Sequence, residues 1–510
     1  MEYIHKYISK ISVNNLNNKI IIKGWIKSKR DTKKIIFLVI RDGTDICQCF
    51  IHKNNASEIL LNKIKKLTLE SSVYIEGVVI SNINQSKKYE IQIHELYPYQ
   101  LCNNFPIGKK NHSINFLIQK RHLWLRSQKQ WAIMKIRSNV LHGLHTFFND
   151  REFIYINTPI LTSNFVENTT TLFKTNFYNS DAYLSQSGQL YGEAAAMSMN
   201  KIYTLGPTFR AEKSKTRRHL SEFWMLEPEI AFYDLNMIMN LMEELIIFII
   251  QYIINNNDNE LKILNRDINQ LKMFCNPFKR ITYEEIILIL NGKKNVNNIN
   301  LIDYLQNDFQ RKKVDIENIK LEILELQKIL QNKTIKKKEY NIIINKIDIL
   351  QNKSKEILEN INNIPLWINS AKKFQYGNDL GGSDETALMK IFNTPVMIYN
   401  WPYKIKPFYM KKNADNNDLV NNVDLLAPEG YGEIAGGSER EDDLNILISN
   451  IKSNNININD FQWYIDLRKY GSIPHSGFGL GIERLISWIC KTNHVRETMA
   501  FPRMYGNISP

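Results

Sequence analysis

The segment 209–230, FRAEKSKTRRHLSEFWMLEPEI, constrains the fold of this chain more than any other stretch. Acidic and aromatic residues alternate with apolar ones on both sides of a basic loop, which predicts a strand, a loop and a returning strand. Arg210 stays charged and its planar fork can donate two hydrogen bonds to one phosphate, while Phe223 offers a flat face for a base. A solvated basic hairpin is the alternative, but it would not require acids on both strands. The segment therefore predicts a binding site for a polyanion.

Five short runs between residues 19 and 96 alternate apolar and polar residues, with Gly or Asp-Gly at the turns. Runs of this length and spacing predict five strands that close into a small barrel of the oligonucleotide-binding type, and a generic β-sandwich is the alternative. Pro106 and Gly108 then indicate a hinge. The expected domain limits are 1–105 for the barrel, 106–130 for the hinge and 131–510 for a larger domain.

The size and charge of the chain limit the kinds of protein it can be. A chain of 510 residues, 43% of them hydrophobic, can form two or three globular units. The formal net charge of +14 favours a polyanionic partner, although Lys, Asn and Ile are frequent throughout, as in proteins from AT-rich genomes. Five scattered cysteines favour neither zinc nor disulfides. The first nine residues lack the apolar run of a secretory signal, and the longest apolar run, 245–254, predicts a core helix rather than a membrane span.

Residues 300–363 differ from their surroundings. The stretches LEILELQKILQ and YNIIINKIDILQNKSKEIL carry apolar residues at steps of three and four among many Lys, Glu and Asn residues. This pattern predicts two antiparallel helices inserted into the larger domain. Disorder is the alternative, because Asn-rich polar segments often fail to pack.

A second motif, GFGLGIERLI at 477–486, leads a Gly-rich stretch into a helix that carries Glu483 and Arg484. Alone it is weak, because glycines before a helix often only permit close packing. A third segment has helical periodicity over 117–148 and continues to Thr158-Pro159. In their order along the chain, the three segments resemble motifs 1, 2 and 3 of the class II aminoacyl-tRNA synthetases. The resemblance covers nearly the whole chain and implies an α+β fold, in which an antiparallel sheet is flanked by helices.

The N-terminal barrel narrows the resemblance to the class II group that charges aspartate, asparagine or lysine. The strand pair GWIKSKRDTKKIIFLVIRDGTDICQ is similar to the anticodon-binding barrel of that group. The resemblance implies that Phe37 stacks on an anticodon base, that Gln48 reads the central uridine and that Arg30 is a nearby anticodon contact. Recognition of single-stranded RNA by an aromatic platform with edge-reading amides agrees with these roles.

The segment YLSQSGQLYGEA, 183–194, bears on which amino acid is charged. It resembles the asparagine-specific pattern SGQL followed by Glu, whereas aspartate-specific members have SPQL and a lysine where this chain has Gly192. An asparagine amide offers one acceptor and two donors, while aspartate offers acceptors only. We therefore expect Arg440 to donate to the amide oxygen and Glu227 to accept from the amide nitrogen. Similarity to asparagine-specific members extends over 374–385, 406–411 and 463–503.

The resemblance also implies ligands for the remaining parts of the substrates. Ser187, Gln189 and Glu167 would hold the α-amino group, although the loop around Glu167 reads VENT where the family usually has Cys-Glu-Gly-Ala. Mg²⁺ would be held against the phosphates by Asp424 and Glu433, which suits its preference for carboxylates. The ATP ligands implied are Arg210 for the α-phosphate, Arg218 and His219 for the outer phosphates, Arg484 for the γ-phosphate, Phe223 for adenine, and Glu212 for adenine or the tRNA end.

Three other readings compete with an asparagine-charging enzyme of bacterial type. An aspartate-charging enzyme is disfavoured by Gly192 and Glu227. A catalytically dead tRNA-binding paralogue should have lost Arg210, Arg484 or an acidic metal ligand, all of which are present. An ammonia-dependent asparagine synthetase resembles the larger domain but lacks the barrel. We expect the partners to be ATP, L-asparagine, tRNA(Asn) and a second copy of the chain, in the cytoplasm and without a membrane.

Overall fold

The computed structural model describes residues 3–82, 87–108, 112–163, 172–214, 216–331 and 337–510, apart from the side chains of 337, 338 and 341. The chain divides into two units, Met1–Trp124 and Leu125–Pro510. The predicted limits at 105 and 130 stay a prediction.

The first unit is a β-barrel. Its described elements are β1 (Ile4–His5), β2 (Lys19–Asp31), β3 (Ile35–Arg41), β4 (Ile46–His52), α1 (Glu58–Lys66), β5 (Ser72–Ser81), β6 (Tyr89–Gln100), α2 (Ile114–Gln119) and α3 (Arg121–Trp124). The strand order is β1-β2-β3-β4-β6-β5, and β2 also pairs with β5, so that β2 to β6 close on themselves. The five predicted strands and their closure into a barrel are confirmed.

Alternation along each strand separates the inside of the barrel from its outside. In β3, Ile36, Leu38 and Ile40 are buried in the barrel core, while Phe37 and Val39 are only partly buried and lie on the outer face. This is the period of two that a half-buried strand requires.

The second unit contains a large mixed sheet and helices on both of its faces. Its described elements are α4 (Gln128–Asn149), β7 (Ile154–Tyr155), β8 (Leu161–Thr162), β9 (Lys174–Phe177), β10 (Ser180–Leu184), α5 (Gln189–Met199), β11 (Lys201–Phe209), β12 (Glu222–Ala231), α6 (Leu235–Asn256), α7 (Asp258–Ile263), α8 (Ile268–Met273), β13 (Lys279–Thr282), α9 (Tyr283–Leu290), α10 (Leu301–Leu330), α11 (Lys337–Lys373), α12 (Gly382–Leu388), β14 (Val396–Pro402), β15 (Leu419–Ala427), β16 (Gly432–Glu439), α13 (Leu444–Ser453), α14 (Gln462–Lys469), β17 (His475–Gly481) and α15 (Ile482–Cys490).

The sheet has the order β13-β14-β15-β16-β17-β12-β11-β7, and a small sheet, β8-β10-β9, lies apart from it. The inner strands from β14 to β11 are antiparallel, as predicted, whereas β13 with β14 and β7 with β11 are parallel. Parallel neighbours need a long connection, and both pairs are separated in sequence by helices that supply one.

One face of the sheet packs on α4, α6 and α15. Tyr203, Leu226, Val423, Phe478 and Leu480 point to this side and join a large hydrophobic core. Among the described helices, α6 is long and apolar enough to cross a membrane by length and composition, but it contributes its buried residues to this core. Because side chains alternate along a strand, the residues between these core residues point to the opposite, polar face.

The insertion is a helical hairpin, as predicted. Helices α10 and α11 bury a small apolar cluster between them, which contains Ile316, Ile319, Leu350 and Ile357. Helix α11 continues to Lys373, because its last turns bury apolar side chains in a second core of the unit, at Ile364, Trp367 and Ala371.

Candidate active site

A cavity of about 260 Å³ opens on the polar face of the sheet. Arg210, which follows β11, and Phe223 on β12 line it, and so does Arg484 on α15. The cavity is therefore built by the two motifs that sequence analysis selected. Of the predicted ATP and metal ligands, those that line it are Arg210, Glu212, Arg218, His219, Phe223, Glu433 and Arg484.

Arg210 follows the last residue of β11, and Phe223 lies on the neighbouring strand β12. The Arg210 Cζ atom lies 5.5 Å from the centroid of the Phe223 ring, and the Arg210 backbone N–H donates to the carbonyl of Ser221 at 3.0 Å. A guanidinium and a flat aromatic face therefore meet in one cavity, which is the pair of groups that a nucleotide phosphate and base require.

Arg218 enters the cavity already held by protein groups. Its guanidinium donates to Glu385 Oε2 at 2.6 Å, to Thr386 Oγ1 at 3.0 Å and to the Gly430 carbonyl at 2.5 Å. Burial raises the pKa of Glu385 to about 7, although the Arg218 guanidinium opposes the rise. Glu385 and Thr386 were not selected from sequence, because α12 follows Arg218 by more than 160 residues.

His219 and Glu212 form a weaker pair at the mouth of the cavity, with 3.7 Å between His219 Nε2 and Glu212 Oε2. Burial and the nearby cation of Arg484 lower the pKa of His219. A neutral imidazole can donate one hydrogen bond to a phosphate but adds no charge.

Asp424 and Glu433 converge above Gly436. An oxygen of each carboxylate lies 3.3 Å from the point that a Cβ atom on Gly436 would occupy. Lys406 Nζ donates to Asp424 Oδ2 at 2.7 Å, and burial raises the pKa of Asp424 to about 6 despite this lysine. Two carboxylates that face one point, with phosphates as further ligands, suit Mg²⁺. Within the described residues no group of three or more His, Cys, Asp or Glu side chains is arranged to hold a metal.

Glu227, on β12, is a buried hydrogen-bond acceptor on the polar face of the sheet. Its carboxylate accepts from Ser187 Oγ, from the Gly188 N–H at 2.8 Å and from Thr204 Oγ1 at 3.4 Å. Burial raises the pKa of Glu227, and these hydrogen bonds lower it in part. A second cavity of about 250 Å³ is lined by Glu227, Gly188 and Thr204 among others.

Arg440 is held by Glu229, which lies two residues after Glu227 on β12. Its Nε and Nη2 atoms donate to both oxygens of Glu229 at 3.2 and 2.5 Å, and its Nη1 donates to Ser438 Oγ at 2.8 Å. These contacts use three of the five guanidinium N–H groups. Glu229 was not selected from sequence, because the spacing of acidic residues along a strand does not give the contact with Arg440.

Gly477 and Gly479 make room for these side chains. A Cβ atom on Gly477 would lie 2.2–2.3 Å from the carboxylate of Glu229, and one on Gly479 would lie 2.4 Å from Met225 Cε and 4.0 Å from Glu227 Cγ. At Gly477, where Arg440 holds the Glu229 carboxylate in place, only glycine permits this close approach. Gly479 also lines the first cavity, so the region of Glu227 adjoins it.

Gln189 contacts a buried cluster of ionisable groups. Glu193, one turn further along α5, accepts from Gln189 Nε2, and its partners Arg468 and His475 come from α14 and β17. Sequence analysis gave none of these three a role. Glu167 lies outside the described residues, so its predicted contact with the α-amino group stays a prediction.

The outer face of the barrel carries the other predicted site. Arg30 pairs with Phe37 in register, with the Arg30 Cζ atom 4.5 Å from the ring centroid, and Phe37 in turn pairs with Phe50 on β4. Gln48 lies on the same face and donates to Glu90 at 2.9 Å. The three predicted residues therefore share one surface of the first unit.

Comparisons with known proteins assign both the barrel and the larger domain to known families. Residues 113–505 match the family "tRNA synthetases class II (D, K and N)", and residues 20–99 match "OB-fold nucleic acid binding domain". The asparagine–tRNA ligase of Pelotomaculum thermopropionicum is 38% identical over 507 residues, which cover 99% of this chain and all of that protein. This chain belongs to the class II asparagine–tRNA ligases.

Other asparagine–tRNA ligases support the assignment. That of Desulforamulus reducens is 37% identical over 97% of both chains. Among solved structures, the asparaginyl-tRNA synthetase of Pyrococcus horikoshii complexed with asparaginyl-adenylate is 34% identical, with a TM-score of 0.80 and full coverage of both chains. The predicted family, its asparagine-specific branch and its bacterial type are confirmed. The roles of single residues in this asparagine–tRNA ligase stay proposals.

Proposed function

We propose that this chain activates L-asparagine with ATP in the first cavity and then transfers it to the 3′ end of tRNA(Asn). The observation that carries the proposal is the arrangement of the polar face. The arginines and Phe223 line the first cavity together with Gly479, whose Cβ position lies 4.0 Å from Glu227 Cγ. Glu229, two residues further along β12, holds Arg440. An asparagine bound beside Glu227 and Arg440 would point its reacting carboxylate oxygen toward an α-phosphate in the first cavity.

Adenylate formation places charge on the oxygens of the α-phosphate while pyrophosphate leaves. Arg210 donates to those oxygens, Phe223 stacks on adenine, and Glu212 orients adenine or the tRNA end. Arg218, His219 and Arg484 hold the outer phosphates. The charge of Arg218 is already oriented by Glu385, so little reorganisation is needed when the phosphates bind.

The amide of asparagine is read by one acceptor and one donor. Glu227 accepts from the amide nitrogen, and the N–H groups of Arg440 that Glu229 and Ser438 do not use donate to the amide oxygen. Ser187, Gln189 and Glu167 hold the α-amino group. Gln189 donates with its amide nitrogen to Glu193, which leaves its carbonyl oxygen to accept from the ammonium.

Asp424 and Glu433 would hold Mg²⁺ against the phosphates, where the cation neutralises their negative charge. Lys406 fixes the Asp424 carboxylate by donating to its Oδ2 atom. In the second step the 3′-terminal ribose hydroxyl of the tRNA attacks the adenylate carbonyl, and the displaced phosphate accepts the proton.

Phe37 stacks on an anticodon base of tRNA(Asn), with Gln48 and Arg30 beside it. We also propose that the chain works in the cytoplasm as a homodimer. Large apolar side chains are exposed near motif 1 and the small sheet, which favours a partner surface there: Ile154, Tyr155, Ile160, Phe177, Tyr178 and Phe232. Sedimentation equilibrium should give twice the chain mass of 59.9 kDa.

Pyrophosphate exchange with each of the twenty amino acids tests the function. We expect exchange with asparagine to exceed that with aspartate by at least about 10³, because a site that hydrogen-bonds an amide leaves its groups unpaired with the wrong side chain. Exchange should stop in EDTA and return with Mg²⁺. Equal exchange with aspartate would contradict the proposal, as would failure to charge tRNA(Asn).

A further inference from the structure

Glu193 is a fully buried carboxylate that four side chains hold in place. Its Oε2 atom accepts from Arg468 Nη2 at 2.7 Å and from the Tyr464 hydroxyl at 2.8 Å, and it lies 2.9 Å from His475 Nε2. Its Oε1 atom accepts from Gln189 Nε2 at 3.0 Å. The carboxylate lines neither cavity, so its contacts run through other residues.

A charge buried this deeply is costly unless it is paired and hydrogen-bonded. Burial raises the pKa of Glu193, but Arg468 and His475 lower it more, and the result is well below the usual value. The carboxylate is therefore ionised at neutral pH.

Two contacts connect Glu193 to the residues that face asparagine. Gln189 is turned by its hydrogen bond to Glu193, and Arg440 Nε lies 3.9 Å from Glu193 Oε1. The negative charge of Glu193 thus acts on the guanidinium that meets the substrate side chain. Glu229 accepts hydrogen bonds from Nε and Nη2 of the same guanidinium.

We propose that Glu193 is a positioning residue that sets the preference for asparagine over aspartate. Its charge leaves the pocket around Arg440 unsuited to a further anion, and its hydrogen bond fixes the Gln189 carbonyl toward the ammonium. This inference rests on the roles proposed above for Gln189 and Arg440.

The substitution Glu193→Gln removes the charge and keeps the shape. We expect the ratio of kcat/KM for asparagine to that for aspartate, measured by pyrophosphate exchange, to fall at least about tenfold. One unit charge several ångströms from a second carboxylate, at an effective dielectric constant of about 20, is worth at least that factor. Tyr464→Phe is the matched control, because it removes a hydrogen bond to the same carboxylate but no charge. It should leave the ratio within about threefold.

Glu193→Asp separates the two roles and remains informative if Glu193→Gln does not melt cooperatively. It keeps the charge but withdraws the carboxylate from Gln189, so the ratio should stay within about threefold while KM for asparagine rises about tenfold and KM for ATP does not. An unchanged ratio in folded Glu193→Gln, an equal fall in Tyr464→Phe, or an unchanged KM in Glu193→Asp would overturn the inference. If the wild type showed no asparagine-dependent exchange, the proposed function itself would fail.

Discussion

The guanidinium of Arg210 is proposed to act where charge develops during adenylate formation. An interaction that strengthens in the transition state lowers kcat when it is lost, whereas one made equally to bound ATP changes KM. Arg210 is positioned by the hydrogen bond of its backbone to Ser221 and by Phe223 beneath it.

Arg210→Ala should therefore lower kcat for asparagine-dependent exchange by about 10² or more, roughly the loss for one donor to a developing oxyanion. Steady-state kinetics with varied ATP measures it. Arg280→Ala is a control, because Arg280 pairs with Glu243 and Asn240 away from both cavities. A rise confined to KM for ATP would argue against the role.

The site residues that could be predicted from the sequence are those that belong to one continuous segment. Arg210 and Phe223 belong to one strand-loop-strand segment, and Arg484 follows a Gly-rich strand, so motif and period were sufficient. Glu193 was not assigned a role, because three of the four side chains that hold it are contributed by elements more than 270 residues away. Such pairing depends on tertiary contacts that neither periodicity nor spacing contains.

The elements of the chain were predicted where their periodicity was long and regular. The barrel strands and the two helices of the insertion follow from alternation and from three- and four-residue steps. The parallel pairs at the edges of the large sheet could not be predicted in this way, because the direction of a strand depends on the helical connection that leads to it. The end of α11 was also missed, since its last turns bury Ile364 and Trp367 in another core.

Substitutions at the tip and at the base of the α10–α11 hairpin should differ in their effects on activity and stability. Replacing residues 327–343 with a short Gly/Ser turn should leave asparagine-dependent exchange within about threefold, because joining ends that are already close adds little loop entropy. Ile364→Ala, at the fully buried base, should lower the free energy of unfolding by about 2–5 kcal/mol.

Urea unfolding and exchange assays on both variants check this prediction. The trimmed variant keeps the ion pair of Lys346 with Glu322 and that of Glu359 with Arg217. Loss of exchange in a trimmed protein that still melts cooperatively would mean that the distal hairpin takes part in catalysis.

The whole molecule divides its two tasks between two units. The barrel carries the proposed anticodon surface, and the second unit carries both cavities. Because adenylate formation needs no tRNA, changes on the barrel surface should separate the two reactions.

Phe37→Ala should weaken tRNA(Asn) charging by about 1–3 kcal/mol in kcat/KM, the usual worth of a base stacked on an aromatic ring, and leave pyrophosphate exchange unchanged. Tyr99→Ala tests whether any exposed aromatic on the barrel has this effect, since Tyr99 lies on β6 with 63% of its surface exposed. If both reactions fell together in Phe37→Ala, the substitution would act through the fold of the protein, and the anticodon role of Phe37 would be contradicted.

The glycines of β17 restrict how this protein could be made more heat-resistant. Replacing glycine with alanine often stabilises a protein, because it reduces the freedom of the unfolded chain. At Gly477 the added methyl group would collide with the carboxylate of Glu229, which Arg440 holds in place, so the usual benefit is reversed there. At Gly479 the end of the Met225 side chain would have to move. Gly108 has open space around its Cβ position and accepts the change. Directed evolution toward higher melting temperature should therefore collect its substitutions outside the polar face of the large sheet.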